Sequence, residues 1–223
     1  MNIITGSAGG LGKRIYSHFK KNNKDVFGID RLDSSSTDLQ LDLGNKEEIK
    51  LLKKKITSKV DSITFTHAIG NSKKDISNFS EDEYRYINAE SNFQIIDSLS
   101  SNLEFQASIL FISSVHSQLT NADSSNYALS KSYLEALYRR MCLSEKYNKF
   151  NKLLICLGAM DTGMLKDNIE NVESFRNSLP SKNIINPDTV ADFIYDFHEK
   201  YKIDFDCSIF RIDNGVSYLL ATD

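Results

Sequence analysis

Short apolar runs alternate with helical stretches along the whole chain, and this alternation restricts the fold more than any other feature of the sequence. A run that is apolar at nearly every position suits a strand that is buried on both faces of a parallel sheet. Consecutive parallel strands need a crossover, which is usually a helix. The runs predict strands at Asn2–Thr5, Asp25–Asp30, Asp38–Leu41, Ser62–His67, Ser108–Ser113, Leu153–Leu157 and Ser208–Ile212.

Helical periodicity fills the segments between most of these strands. The predicted helices lie near Leu11–Asn22, Lys46–Ser58, Glu81–Leu103, Tyr127–Tyr147 and Asp188–Lys200. The pattern predicts an α/β fold, a Rossmann-type doubly wound parallel sheet of about seven strands with helices on both faces. No internal repeat and no linker rich in proline and glycine divides the 223 residues, so residues 1–223 are expected to form one domain.

Composition and charge argue against several classes of protein. A net charge of −3 with scattered lysines gives no electrostatic reason to expect nucleic acid or a membrane as partner. No apolar stretch approaches the ~20 residues that a membrane-spanning helix needs. The chain begins directly with a strand, which leaves no room for a signal peptide, so we expect a cytoplasmic protein.

The cysteines give no sign of a disulfide framework or of a metal site. Cys142, Cys156 and Cys207 are far apart in the sequence, odd in number and set in apolar contexts. They are interpreted as buried free thiols in a reducing compartment. No paired Cys/His spacing suggests zinc, and no metal is expected.

A glycine-rich segment follows the first predicted strand and opens the first helix. Glycines allow a sharp turn and a close approach of the backbone to a pyrophosphate, and the free N–H groups of a helix N-terminus hold phosphates. The spacing is neither the Walker pattern nor the common Gly-x-Gly-x-x-Gly, and a turn that binds no ligand is the alternative. The predicted cofactor contacts are Gly6, Ser7, Gly10, Leu11 and Gly12.

Asp30 ends the second predicted strand, where a carboxylate can accept both ribose hydroxyls of an adenosine and repel a 2′-phosphate. NAD(H) is therefore the favoured cofactor. Arg31 could pair with such a phosphate, so NADP(H) remains open. A plain turn-capping role is the alternative for Asp30. Asp42 and Leu43 could contact an adenine edge, or they could simply mark a turn or a helix start.

The end of the fourth predicted strand offers small residues that would let a ribose approach the sheet. The predicted contacts there are Ala68, Ile69 and Gly70. His67, which precedes them, is interpreted as a strand histidine whose hydrogen bonds are satisfied within the protein.

Tyr127 and Lys131 lie one helical turn apart, so a phenol and an ammonium share one face of a helix. An ammonium in this position is expected to lower the pKa of the phenol. Ser114 directly follows an apolar run and is expected at the end of a strand. These three side chains suit a proton transfer to and from a carbonyl oxygen. The spacing alone is also compatible with an ordinary solvated Tyr/Lys pair.

Two further residues are candidates for the same site. Asn88 falls inside a predicted helix, where asparagine is a poor helix former, so its amide could break the helix and hold a water molecule. An exposed polar residue is the alternative. His116 lies two residues after Ser114 and could touch the substrate, or it could be a loop histidine with no role.

Taken together and in order, these residues resemble the short-chain dehydrogenase/reductase family in its single-domain subtype. The resemblance extends to Ile212-Asp213-Asn214-Gly215, which is similar to the final strand and turn of the family. Two segments depart from it. His67-Ala68-Ile69-Gly70 stands where the family has Asn-Asn-Ala-Gly, and Leu157-Gly158 stands where it has Pro-Gly.

The resemblance implies an NAD(P)-dependent oxidoreductase that interconverts a secondary alcohol and a ketone by hydride transfer. It implies that Tyr127 exchanges the proton, that Lys131 lowers the pKa of Tyr127 and holds the nicotinamide ribose, and that Ser114 polarises the substrate oxygen. Asn88 would anchor a water relay to Lys131. Gly158 and Thr162 would lie near the nicotinamide.

Other parts of the chain bear on partners. Residues 160–185 follow the sixth strand and are expected to form a substrate lid that carries Met164, Leu165, Phe175 and Leu179. The expected partner is a small alcohol or ketone, and a second apolar stripe on the long helices suggests a homodimer or homotetramer.

The alternative function is a catalytically silent dinucleotide-binding sensor or scaffold on the same fold.

Overall fold

A computed structural model of the chain describes residues 1–70, 72–118 and 125–215. Seven parallel strands form one sheet in the order β3-β2-β1-β4-β5-β6-β7. The strand order reverses beside β1, so the crevice between the carboxyl ends of β1 and β4 is the expected ligand site of a doubly wound sheet. The strands are β1 (Asn2–Thr5), β2 (Val26–Asp30), β3 (Leu39–Gln40), β4 (Val60–Phe65), β5 (Leu103–Ser114), β6 (Asn151–Leu157) and β7 (Ser208–Ile212).

Helices connect the strands and cover the sheet. Their bounds are α1 (Gly10–Lys21), α2 (Lys46–Lys55), α3 (Lys73–Asn78), α4 (Glu81–Arg85), α5 (Ser91–Ser98), α6 (Ser125–Cys142), α7 (Gly163–Asn168), α8 (Val172–Ser178) and α9 (Pro187–Asp196). Two π-helical turns, Tyr86–Glu90 and Phe197–Tyr201, continue α4 and α9. Short 3₁₀ turns follow β5 and α6 at Val115–Ser117 and Glu145–Tyr147.

The alternation of side chains along the central strands divides the core between the two faces of the sheet. In β5, Ile109 and Phe111 pack on one face with the apolar sides of α2, α5 and α6. Leu110 points the other way and packs with α1 and α9. Because both faces are covered, the strands are apolar at nearly every position, which is the pattern that predicted them. The doubly wound fold is therefore confirmed.

Several predicted boundaries differ from the structure. The fourth strand ends at Phe65 rather than His67, and β5 begins at Leu103, where a helix was expected to end. Helix α6 ends at Cys142, five residues before the predicted end. The short helices α3, α7 and α8 were not predicted. Helices of six or seven residues are too short to show a clear apolar period.

The prediction that all three cysteines are buried is wrong for Cys207, which is exposed, while Cys142 is half-buried and Cys156 is buried. All three are free thiols. Cys142 and Cys207 are distant in sequence, but their thiols interact directly in the fold.

Within the described residues, no helix combines the length and the hydropathy needed to cross a membrane. In the same part of the chain, no cluster of three His, Cys, Asp or Glu side chains is placed to hold a metal ion.

Candidate active site

A cleft of about 710 Å³ runs along the carboxyl ends of the central strands, at the point where the strand order reverses. Its volume lies within the range typical of small-molecule sites. Of the predicted site residues, Ser7 and Asn88 do not line the cleft. Those that line it are Gly6, Gly10, Leu11, Gly12, Asp30, Arg31, Asp42, Leu43, Ala68, Ile69, Gly70, Ser114, Tyr127, Lys131, Gly158 and Thr162.

The glycine-rich turn packs too closely for larger residues at two positions. Gly6 has a φ of +68°, and a Cβ on it would lie 2.5 Å from the backbone nitrogen of His67. A Cβ on Gly12 would lie 2.1 Å from the carbonyl oxygen of Gly6. The turn therefore lies directly against the end of β4.

The N-terminus of α1 opens onto the cleft. Lys13 makes the first intrahelical hydrogen bond, to the Gly9 carbonyl at 3.0 Å, so the preceding N–H groups of Gly10, Leu11 and Gly12 have no acceptor within the helix. The first turn of α1 contains no acidic side chain to oppose the helix dipole. Free N–H groups, a positive helix end and a close glycine turn fit the pyrophosphate of a dinucleotide.

Ser7 lies behind this turn rather than on the cleft surface. It is fully buried, and its carbonyl accepts a hydrogen bond from Ser36 Oγ at 2.7 Å. A Cβ on Gly28 would lie 2.8 Å from Ser7 Oγ, which shows how tightly Ser7 packs against β2. The structure therefore places Ser7 as support for the turn.

Asp30 ends β2 and ties together the two backbone segments beside it. Its Oδ2 accepts the Ala8 N–H and its Oδ1 accepts the Leu32 N–H, both at 2.9 Å. A carboxylate offers about four acceptor sites, so Asp30 can cap this turn and still accept ribose hydroxyls. Arg31 is exposed at the same end of the cleft.

Asp42 follows β3 and has a turn-forming role of its own, since its Oδ1 accepts the Gly44 N–H at 2.8 Å. It nevertheless lines the cleft together with Leu43. Farther along the cleft, Gly158 donates its N–H to Ile212 at 2.9 Å. A Cβ on Gly158 would meet the backbone of Asp213 at 2.7 Å. Glycine is therefore required at position 158 by the contact between β6 and β7.

Asn88 lies in the π-helical turn after α4 and is buried, so it is not an exposed polar residue. Its Oδ1 accepts the Ile69 N–H at 2.7 Å, and its Nδ2 donates to the Ile69 carbonyl at 3.1 Å and to Ser130 Oγ at 3.0 Å. Asn88 thus breaks the regular helix, as expected, and fixes the backbone of a cleft-lining segment. π-Helical turns are frequent at functional sites.

Ser114, Tyr127 and Lys131 come together at the centre of the cleft. Ser114 is the last residue of β5, and its hydroxyl is hydrogen-bonded to that of Tyr127. Lys131 Nζ lies 5.7 Å from the centre of the Tyr127 ring and donates to the Ile112 carbonyl at 2.9 Å. All three side chains are buried. The sequence therefore identified three residues that the fold brings together.

The pKa of Tyr127 does not follow the expectation. Burial raises the pKa of Tyr127, and the hydrogen bond with Ser114 opposes that rise. The expected lowering by Lys131 is not seen, because its ammonium points toward the carbonyl of Ile112. Burial lowers the pKa of Lys131 itself to about 8. Tyr127 is therefore held in its protonated form near neutral pH.

His67 has both ring nitrogens engaged, as predicted for a satisfied strand histidine. Nδ1 is 2.7 Å from Thr5 Oγ1 and Nε2 is 2.9 Å from Ser91 Oγ. Burial lowers the pKa of His67 to about 3, and the charge of Lys131 acts in the same direction. The ring of His116 lies 6.0 Å from that of Tyr127 and lines the cleft.

The wall of the cleft beyond Tyr127 is formed by residues that the sequence did not predict as part of the site. Ser72, Asp75 and Phe79 reach the cleft from α3 and the residues around it. Within the expected lid, α7 and α8 carry most of the cleft-lining side chains, and a β-bridge between Met160 and Ile185 closes the base of the segment. The lining residues of the lid are Met160, Thr162, Gly163, Met164, Leu165, Asp167, Asn168, Ile169 and Phe175.

Comparisons with known proteins give a family for this fold and cleft. A family model described as enoyl-(acyl carrier protein) reductase matches residues 16–216. A short-chain dehydrogenase family protein from Francisella tularensis is 19% identical, with a TM-score of 0.85 over 97% of this chain and 98% of that chain. Thermoplasma acidophilum aldohexose dehydrogenase is 17% identical, with a TM-score of 0.81 over 97% and 94%.

A third solved structure is a short-chain dehydrogenase from Burkholderia cenocepacia in complex with NADP. It is 14% identical, with a TM-score of 0.84 over 96% of this chain and 97% of that chain. None of the curated proteins matches the sequence. The chain belongs to the short-chain dehydrogenase/reductase family, which confirms the resemblance seen in the sequence. It is accordingly an oxidoreductase of that family.

Proposed function

We propose that the protein interconverts a secondary alcohol and a ketone, with NAD(P) as cofactor and Tyr127 as the proton donor and acceptor. The observation behind the proposal is that Ser114, Tyr127 and Lys131 lie close together in the cleft. The glycine-rich turn lines another part of the same cleft. A binding protein without turnover has no need of these three groups together.

The side chains divide the proton chemistry between them. Tyr127 is protonated near neutral pH, so it can donate to the substrate oxygen during reduction and accept the proton back during oxidation. Ser114 shares a hydrogen bond with Tyr127 and polarises the same oxygen. Lys131, which carries its positive charge below about pH 8 and donates to the Ile112 carbonyl, would hold the nicotinamide ribose.

When bound, the pyridine nucleotide supplies or takes up the hydride. The residues that would hold it are the N–H groups at the start of α1, Asp30 at the end of β2, and the segment Ala68–Gly70. The water relay expected from Asn88 stays a prediction. The side-chain N–H groups of Asn88 are already committed to Ile69 and Ser130.

Isotope transfer tests the reaction. With NADH or NADPH that carries deuterium at both C4 positions of the nicotinamide, incubation with a panel of ketones should give alcohols one mass unit heavier, with deuterium on the carbinol carbon. The measurement is mass spectrometry of the alcohol together with the loss of absorbance of the reduced cofactor. Tight cofactor binding with no deuterium transfer to any ketone would favour the silent sensor or scaffold.

We also propose that NAD(H) is the preferred cofactor. The support is the Asp30 carboxylate, which lies where a 2′-phosphate would meet a second negative charge. NADH should bind at least about tenfold more tightly than NADPH, a difference of about 1.4 kcal/mol. Fluorescence titration of the protein with each cofactor measures it.

Two variants locate the origin of this preference. Asp30→Asn should reduce the ratio of the NADPH dissociation constant to the NADH dissociation constant. Arg31→Ala should leave NADH binding unchanged. Equal affinities for both cofactors in the unmutated protein would overturn the assignment to NAD(H).

Three broader expectations extend this proposal. Residues 1–223 would act as one catalytic domain, which is supported by β7 joining the same sheet as β1. A homodimer or homotetramer is supported by Leu129 and Tyr133, which are exposed one turn apart on α6. A cytoplasmic location stays a prediction.

A further inference from the structure

Asp75 is an acidic residue on the wall of the cleft beyond Tyr127. It lies in the first turn of α3, and its Oδ2 accepts a hydrogen bond from Ser72 Oγ at 2.8 Å. A Cβ built on Gly70 would lie 3.1 Å from Asp75 Oδ2 and 3.2 Å from Met164 Cγ. Asp75 and the α7 side of the lid therefore approach each other around Gly70, on the surface of the cleft.

The carboxylate of Asp75 is half-buried, and among the side chains that the structure describes Ser72 is the one donor to it. Capping of α3 involves the Ser72 hydroxyl and the Asp75 N–H, at 3.1 Å. A carboxylate offers about four acceptor sites, and a partly buried one beside apolar neighbours such as Phe79 and Met164 is unfavourable unless those sites are used. A donor on a bound molecule would satisfy it.

Asp75 also lies near the reacting group. Tyr84 donates its hydroxyl to the Gly70 carbonyl at 2.8 Å. Burial raises the pKa of Tyr84 to about 12, and Asp75 and Tyr127 both add to the rise. Tyr84 and Tyr127 belong to one apolar cluster with Ile69. Tyr84 therefore links Asp75 to the group that a substrate oxygen would meet, and we expect the neighbouring substituents of that substrate to lie toward Asp75.

The fixed charges of the cleft are unevenly placed. Arg31 lies beside Asp30, at the adenosine end, and Lys131 is directed to the Ile112 carbonyl. The wall beyond Tyr127 carries the carboxylates of Asp75 and Asp167, and the side chains that the structure describes there include no lysine or arginine. This end of the cleft is suited to an O–H or N–H donor and unsuited to an anion.

We propose that Asp75 is a specificity-determining residue that selects ketones carrying an O–H or N–H donor close to the reacting carbonyl and rejects ketones carrying a carboxylate there. The inference rests on the proposed ketone reduction and names the class of substrate for the same site. A hydroxyketone and an aminoketone share this chemistry, and the experiment separates them.

The probes are four methyl ketones of the form CH₃–CO–CH₂–X, in which X is methyl, hydroxyl, ammonium or carboxylate: 2-butanone, hydroxyacetone, aminoacetone and acetoacetate. For each, kcat/KM is measured from the loss of reduced cofactor at pH 7. The wild-type protein should prefer hydroxyacetone or aminoacetone over 2-butanone by at least about tenfold, and acetoacetate should be the poorest of the four.

Asp75→Asn removes the charge and keeps the shape. The ratio of kcat/KM for aminoacetone to that for acetoacetate should fall by at least about tenfold. Asp204→Asn, the same change at an exposed carboxylate that is not among the cleft-lining residues, should leave this ratio within about twofold. Thermal unfolding of both variants checks that the fold is retained.

The outcomes separate the two proposals. Turnover of 2-butanone with no preference for the donor-bearing ketones, or an unchanged ratio in Asp75→Asn, would overturn the role of Asp75 and leave the proposed function standing. Absence of turnover with all four ketones and with the wider panel would overturn both. A hydroxyacetone preference that survives Asp75→Asn while the aminoacetone preference is lost would assign a hydroxyketone, since the amide oxygen can still accept an O–H.

Discussion

Replacing Tyr127 with phenylalanine should lower kcat for ketone reduction by about 10²- to 10⁴-fold, the contribution expected of a positioned general acid. The phenol is buried, is hydrogen-bonded to Ser114 and lies on the cleft, so its loss removes the proton donor without leaving a charge unpaired. Binding of NADH, followed by fluorescence titration, should stay within about threefold, because the N–H groups of α1 are untouched.

Tyr84→Phe is the matched control. Tyr84 is a buried tyrosine of the same apolar cluster, and its hydroxyl is bonded to the Gly70 carbonyl rather than to Ser114. Its loss should cost about 1 kcal/mol of stability, the value of one hydrogen bond, with kcat within a few-fold of wild type. If Tyr127→Phe retained a rate close to that of Tyr84→Phe, the proposed role of Tyr127 would be wrong.

Local patterns in the sequence were sufficient for the fold and for the grouping of Ser114, Tyr127 and Lys131. The strands are apolar throughout because helices cover both faces of the sheet, so the alternation is visible without knowledge of contacts. The glycine turn, Ser114 and the Tyr127/Lys131 pair each belong to a single strand end or helix turn. Their meeting then follows from the parallel topology, which brings the carboxyl ends of all strands to one edge.

Features that depend on side-chain direction or on contacts across the chain were not predictable. The spacing of Tyr127 and Lys131 does not show that Nζ turns to Ile112, which decides how the ammonium acts on the phenol. The interaction between the Cys142 and Cys207 thiols joins residues that are far apart in the sequence. Asp75 lies in a helix of six residues, which leaves no periodic signal.

Ser7 is a predicted site residue whose side-chain direction was also not visible in the sequence. Its position in the glycine turn suggested a contact with the cofactor. The structure instead buries it against Gly28 and Ser36, because the turn folds back onto β2. Membership in a local motif does not decide which face of the turn a side chain occupies.

The second large effect expected is acid destabilisation through a buried histidine remote from the cleft. His198 lies in the π-helical turn after α9 and is 4% exposed. Its Nε2 is 2.8 Å from Thr64 Oγ1 and its Nδ1 is 2.6 Å from Ser108 Oγ. Both ring nitrogens are therefore engaged with hydroxyl groups of β4 and β5. Burial lowers the pKa of His198 from 6.5 to about 3, and the charge of Lys202 adds to this.

The sign follows from proton binding. Between about pH 6.5 and 3 the unfolded chain holds a proton on His198 and the folded chain does not, so the free energy of unfolding falls as the pH falls. The stabilising effect of the neutral ring is fully present above pH 6.5. The slope is about 1.4 kcal/mol per pH unit, or about 3 kcal/mol between pH 6.5 and pH 4. A loss of this size is a large part of the stability of an ordinary domain.

His198→Gln should flatten this dependence. The amide can still meet the two hydroxyls but does not titrate, so the slope of the free energy of unfolding against pH, from urea unfolding between pH 6.5 and 4, should decrease by about 1 kcal/mol per pH unit. Carboxylates and His67 titrate in both proteins, and their contributions cancel in the difference of slopes. The free energy of unfolding at pH 8 gives the structural cost of the substitution alone, because His198 is neutral there in both states.

Identical slopes for the two proteins would mean that His198 takes up its proton without loss of the fold. The bonds to Thr64 and Ser108 would then have to rearrange rather than hold the ring neutral.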